Sequence, residues 1–164
     1  MSAPRVDALF REHGADVLAY ALRRTDAGSA EDVVAEVFLV AWRRAERVPE
    51  HEPVLWLYGV ARRVLANQRR SARRREALID VLGPLAGRHA TAPDPGGSPL
   101  TVALGRLRPD DREVLMLTAW EGLDAAQAAA VMCCTPQAVH TRLHRARARL
   151  RTELNREIRE VSIA

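Results

Sequence analysis

The sequence contains no lysine: all 25 of its basic residues are arginine. Aromatic residues make up only 4% of it, so a core must be built from Leu, Val and Ala, which suit helices here. No stretch alternates strictly between apolar and polar residues, as half-buried strands would. No apolar run is long enough to span a bilayer, and the first residues do not read as a secretory signal. The only two cysteines, Cys133 and Cys134, are adjacent. Neighbours in a helix do not bridge easily, and no spaced Cys/His set offers a zinc site. These two read instead as small packing residues. The five histidines are scattered. His140 and His144 lie four apart, but no nearby acid orients them as metal ligands. There is no glycine-rich phosphate loop and no catalytic constellation. No metal, cofactor, enzymatic activity or membrane insertion is therefore expected, and a soluble cytoplasmic protein is.

What is present is apolar residue enough for a core (48%), a net charge of +4 and a pI near 10.0, a balance that favours a polyanionic partner. One stretch, EGLDAAQAAAVMCCTPQAVHTRLHRARARLR at residues 121–151, organises the reading. Asp124 and Gln127 have the spacing of a capping box. Cys133 and Cys134 fall at a turn. Thr135 then suits an N-cap, and Pro136 the first position of the next helix. Val139, Leu143, Ala146 and Leu150 recur at helical spacing as one narrow apolar stripe. The opposite side carries Gln137, Thr141, His144 and Arg145, and no acid occurs from His140 to Arg151. A cap, a proline, a single stripe and a face of one sign agree on a helix-turn-helix whose second helix enters a major groove.

The rest of the chain divides around a linker. Residues 6–24 read as a helix with Val6, Leu9, Phe10, Val17, Leu18, Ala21 and Leu22 on its apolar side. TDAGS at 25–29 breaks it. A second helix is expected from Ser29 to about Arg47, with Asp32 at the capping-box position and Val34, Val37, Phe38 and Ala41 inward. After VPEHEP a third begins at Pro53 or Val54, with Leu57, Val60, Ala61 and Val64 inward, and continues into NQRRSARRR. Acids are absent from Pro53 to Arg75, where Arg62, Arg63, Arg69, Arg70, Arg73, Arg74 and Arg75 stand. Trp56 and Tyr58 precede this basic run. They suit either stacking on unpaired bases or anchoring of the helical core. GPLAGRHATAPDPGGSP then reads as a mobile linker. Beyond it, Leu104 and Leu107 belong to a short helix. Pro109 opens another, with Asp110 and Asp111 at the positive end of its dipole. The tail after Leu154 is expected to fray. The expectation is an all-α chain: helical residues 1–78, a linker at 79–99, and a helix-turn-helix domain at 100–164.

Three segments in order carry a resemblance: AEDVVAEVFLVAWRR (30–44), WLYGVARRVLANQRRSARRR (56–75) and LRPDDREVLMLTAWEGLDAAQAAAVMCCTPQAVHTRLHRARARL (107–150). Together they resemble a bacterial RNA polymerase sigma factor. With no domain between the halves, the chain is similar to the short extracytoplasmic-function (ECF) group of the sigma-70 family. The resemblance implies that the second helix docks on core RNA polymerase through Asp32 and Glu36. It implies that the third helix binds and opens the minus-10 element of promoter DNA, with Arg62, Arg63, Asn67 and Arg70 as candidates. It implies that Thr135, Gln137, Ala138, Thr141, Arg142 and Arg145 read the minus-35 duplex, that the linker threads toward the RNA exit channel, and that an anti-sigma factor holds the protein in reserve. The chain departs from the family's habits at Ala35 (often Gln), Arg63 and Asn67 (commonly Asn and Asp), Ala128 (a larger aliphatic) and Cys133 (the usual turn glycine).

Two other readings fit parts of the chain. A stand-alone helix-turn-helix regulator would need a dimer interface to match a two-fold operator, and no spare heptads supply one. An RNA-binding antiterminator-like protein would use the arginine-rich residues 69–75.

Overall fold

The computed structural model describes residues 2–82 and 97–163, which are helical with no strand among them. Most of the expected linker, residues 83–96, lies outside the described residues. The chain falls into two compact units, one carrying the first three helices together with residues 130–133, the other carrying the remaining helical residues.

In the first unit α1 (Ser2–Leu22), α2 (Ala27–Arg43) and α3 (Pro53–Leu82) pack on one another. Val6, Leu9, Val17 and Ala21 of α1 are buried as their spacing predicts, but Phe10 and Leu22 are about half exposed. Tyr20 takes the inner position instead: it is fully buried and stacks on Tyr58 of α3, centroids 4.9 Å apart. That contact assigns Tyr58 to the core, while Trp56 is half-buried. The chain leaves α1 with Arg24 over the Tyr20 ring, 3.5 Å from its centroid.

α2 starts earlier than Ser29. Asp26 is its N-cap, accepting the Ser29 N–H at 2.9 Å and the Ser29 hydroxyl at 2.7 Å. Both residues suit a cap, but only aspartate brings a negative charge to the positive helix end. The Ser29 bonds hold the Asp26 carboxyl below its ordinary range. Ala30, Val33, Val37, Phe38 and Ala41 face inward, so Val33 fills the place expected of Val34. The helix ends at Arg43 and a single 3-10 turn, Ala45–Arg47, follows.

α3 keeps Leu57, Val60, Ala61 and Val64 buried and continues to Leu82, with no glycine or proline between Val60 and Leu82 to end it sooner.

In the second unit α4 (Pro99–Arg106) and α5 (Pro109–Ala119) both pack on α7 (Pro136–Ile163); α6 (Ala125–Met132) precedes α7 in the chain and is divided between the units at Ala129. Ser98 caps α4, accepting the Thr101 N–H at 3.3 Å, and Pro99 is the first helical residue. Leu104, Leu107, Val114, Leu117, Val139 and Ala146 are buried. The tail does not fray after Leu154. Arg106 of α4 pairs with the buried Glu157 and reaches Glu153 at 3.7 Å and Glu160 at 3.8 Å. Within the tail, the Arg156 hydrogen bond holds the Glu160 carboxyl below its ordinary range. An acid every third or fourth residue thus presents one row to a single guanidinium, which a reading of apolar periodicity alone does not detect.

Candidate nucleic-acid interface

The entering end of α7 is built by local chemistry. Asp124 accepts the Gln127 N–H at 2.8 Å, and the Gln127 side chain accepts the Asp124 N–H at 3.1 Å, closing the expected capping box at α6. α6 ends at Met132; the next residue, Cys133, has a φ of 54°, and the Cys134 N–H donates back to the Ala129 carbonyl at 3.0 Å. This is a Schellman-type end, with cysteine in the left-handed place that usually takes glycine. Cys133 is exposed and Cys134 half-buried, so only the second resembles the packing residue expected. Thr135 then accepts the Ala138 N–H at 3.1 Å, and Pro136 opens α7. The short turn fixes where the next helix starts and which way its first residues point.

The six minus-35 candidates come together. Thr135, Gln137, Thr141 and Arg145 are exposed, Ala138 and Arg142 half-buried, and all six line one groove of about 810 Å³. The sequence reading missed its opposite wall, which is the start of α5: Arg108, Pro109, Asp110 and Asp111. Asp110 pairs with Arg142 at 3.5 Å, and the buried Asp111 pairs with Arg149. Arg108 and Arg145 have no acid partner among the described residues. The groove therefore offers short hydrogen-bonding side chains at the helix start, two restrained guanidinium groups and two unrestrained ones. That division suits base edges and phosphates respectively.

On α3, Arg63, Asn67 and Arg70 share an exposed face, and the Arg70 guanidinium donates to the Asn67 side-chain oxygen. Arg62 is half-buried and lies to the side of that face. Arg74 extends it, donating to the Arg70 carbonyl at 3.4 Å. On α2, Asp32 and Glu36 are exposed one turn apart. Leu39 continues their face at 46% exposure, opposite the inward stripe, and Trp42 beside it is 49% exposed. Both were absent from the expected site. Leu39 stands on the side of α2 that Ala30, Val33 and Ala41 leave to solvent, and helical spacing alone shows it. Among the described residues no three His, Cys, Asp or Glu side chains converge on a metal position. No helix there is long and apolar enough to cross a membrane.

Comparison with known proteins follows this division. Residues 9–75 match the family model for sigma-70 region 2, and residues 98–150 that for sigma-70 region 4. The ECF sigma factor SigL of Mycobacterium tuberculosis is 34% identical over 155 residues, 90% of this chain and 87% of that one. The chain belongs to the ECF group of sigma-70 factors. As a sigma factor it binds core RNA polymerase and directs promoter-specific transcription initiation. SigC of Mycobacterium tuberculosis is 32% identical, covering 87% of this chain and 79% of its own. Among solved structures, the sigma factor RpoE of Bartonella quintana, crystallised with the anti-sigma factor NepR, superposes with a TM-score of 0.68 at 26% identity. It covers 91% of this chain and 96% of its own. CnrH, solved with the cytosolic domain of CnrY, gives 0.62 at 27% identity, covering 92% and 87%.

Proposed function

We infer that the two units divide the promoter between them. Residues 1–78 hold polymerase and the minus-10 element, residues 100–164 read the minus-35 duplex, and the segment between sets their reach. The observation that carries this is the groove at the start of α7, where Gln137, Thr141 and Arg145 are exposed on a capped helix end. Short polar groups at the entering end hydrogen-bond base edges, and Arg145 farther along meets the phosphates.

On α3 the row Arg63, Asn67 and Arg70 meets the minus-10 strand, with Arg62 supporting it from the side. No nucleotide hydrolysis is needed. Capture of an unstacked base offsets the few kcal/mol lost on opening the duplex. The chain is thus a non-enzymatic specificity subunit that works in the cytoplasm. Asp32 and Glu36 make the polar contact to polymerase, and Leu39 supplies apolar area at its centre. An anti-sigma factor masks these surfaces until it is removed, a reading supported by the complex of RpoE with the anti-sigma factor NepR.

Run-off transcription with purified core polymerase over a promoter library tests the whole reading. The expected result is initiation confined to promoters sharing two elements at fixed spacing. Initiation unchanged by adding the chain would overturn it. Arg145→Ala should weaken minus-35-dependent promoters, and Arg63→Ala should slow duplex opening with binding retained. A shift of promoter DNA by the chain alone, as strong as that with polymerase, would support a stand-alone regulator instead.

A further inference from the structure

The wall of the reading groove opposite α7 carries two acids, in a place that otherwise attracts phosphate. Asp111 is buried and closes onto Arg149, a contact that ties α5 to α7. Asp110 differs. It is half exposed, lines the groove itself, and sits 3.5 Å from the Arg142 guanidinium. Ion pairs this open to water add little to stability, and a carboxylate facing DNA repels its backbone. The pair does restrict direction. A free arginine on this face has phosphates within reach on every sequence, whereas one held from behind keeps its planar fork of donors at a set angle. Arg145, one turn along, has no acid partner among the described residues and so no such restraint.

We propose that Asp110 is a specificity-determining positioning residue for minus-35 reading: it holds Arg142 for a two-bonded contact with a guanine edge and away from the phosphates. The proposal rests on the duplex-reading role of α7. A guanine presents two acceptors, N7 and O6, at the spacing of the guanidinium fork, and no other base does so in the major groove. Arg142 and Asp110 together thus form a reader of one base, and Arg145 an anchor indifferent to sequence.

The test uses the full chain with core polymerase and a promoter library randomised across the minus-35 element. Binding to random duplex is measured in parallel over a range of salt. The wild-type holoenzyme should prefer guanine at one position by about tenfold. Asp110→Asn should cut that preference to roughly threefold at that position alone. It should also raise affinity for random duplex and steepen its salt dependence by up to about one counterion. Asp110→Glu should restore the preference, and Arg142→Lys should lose it without the gain in random binding. A uniform rise in affinity with an unchanged base pattern would overturn the proposal, leaving Asp110 as a repulsive charge only. An unchanged pattern with a lower thermal midpoint would also overturn it, leaving a structural acid. A wild-type arm that selects no minus-35 sequence would overturn the underlying reading before any variant is compared.

Discussion

Cys133 holds a φ of 54° with its side chain exposed, so little packing compensates for the left-handed backbone. Glycine there would relieve about 1 kcal/mol of strain and give back part of it as unfolded-chain entropy. Cys133→Gly is thus expected to stabilise the protein by about 0.5 kcal/mol, seen as a higher denaturant midpoint at constant slope. Asp26 makes a second prediction at this scale. Its carboxyl is lowered by the Ser29 bonds, so its contribution is complete above the ordinary aspartate pKa of about 4 and is lost as pH falls through the depressed value. Thermal midpoints of wild type and Asp26→Asn should differ at neutral pH and converge once the pH has fallen below the depressed value. A constant difference would show that the cap does not depend on charge. Tyr20→Ala removes a fully buried ring stacked on Tyr58 and should cost about 3 kcal/mol by chemical denaturation.

Among the helices, α7 combines three jobs along its length. On the proposed reading its first turn meets the minus-35 duplex; its middle packs through Val139 and Ala146, and its last turns are tied to α4 through Arg106. The tie between α5 and α7 is unequal: Asp111 is buried, and Arg149 is about half exposed. Arg149→Met would leave a buried carboxylate without its cation. Because the arginine is partly in water, the expected loss is about 1–2 kcal/mol rather than the larger value of a fully buried pair. The double variant Arg149→Met with Asp111→Leu should recover most of it. If the double variant is no better than the single one, the desolvated acid is not the cause. The capping box of α6 and the Thr135 cap were readable from residue spacing, because both are bonds within four residues. The Asp110 and Asp111 pairs were not, since each joins residues more than thirty apart and neither acid has a local signal beyond its helix-start position.

At the scale of the whole molecule, each unit presents modest contacts that gain strength only when their separation is set. Joined sites act through effective concentration, and on the proposed reading polymerase sets the joining geometry. The free chain is expected to bind promoter DNA weakly and with a steep salt dependence, and the holoenzyme tightly at the same salt. Filter binding over a salt series checks this. Equal affinity with and without polymerase would refute it. Reversing charge on the exposed α2 face, Asp32→Arg with Glu36→Arg, should weaken association with core polymerase at least about tenfold and leave the thermal midpoint unchanged.

What the residues decided alone was whatever depends on short-range periodicity: the helical class, most inward stripes, both caps around the helix-turn-helix, and the turn at Cys133 and Cys134. The start of α2 at Asp26 escaped because two neighbouring residues are each competent caps, and the difference between them is small. Tyr20 in the core, the ordered tail under Arg106, and the acid-lined wall opposite α7 were decided only by the tertiary structure. Each depends on which distant helix lies across from it. A pattern within one helix shows which side turns inward, but the partner that meets it is set by how the helices pack.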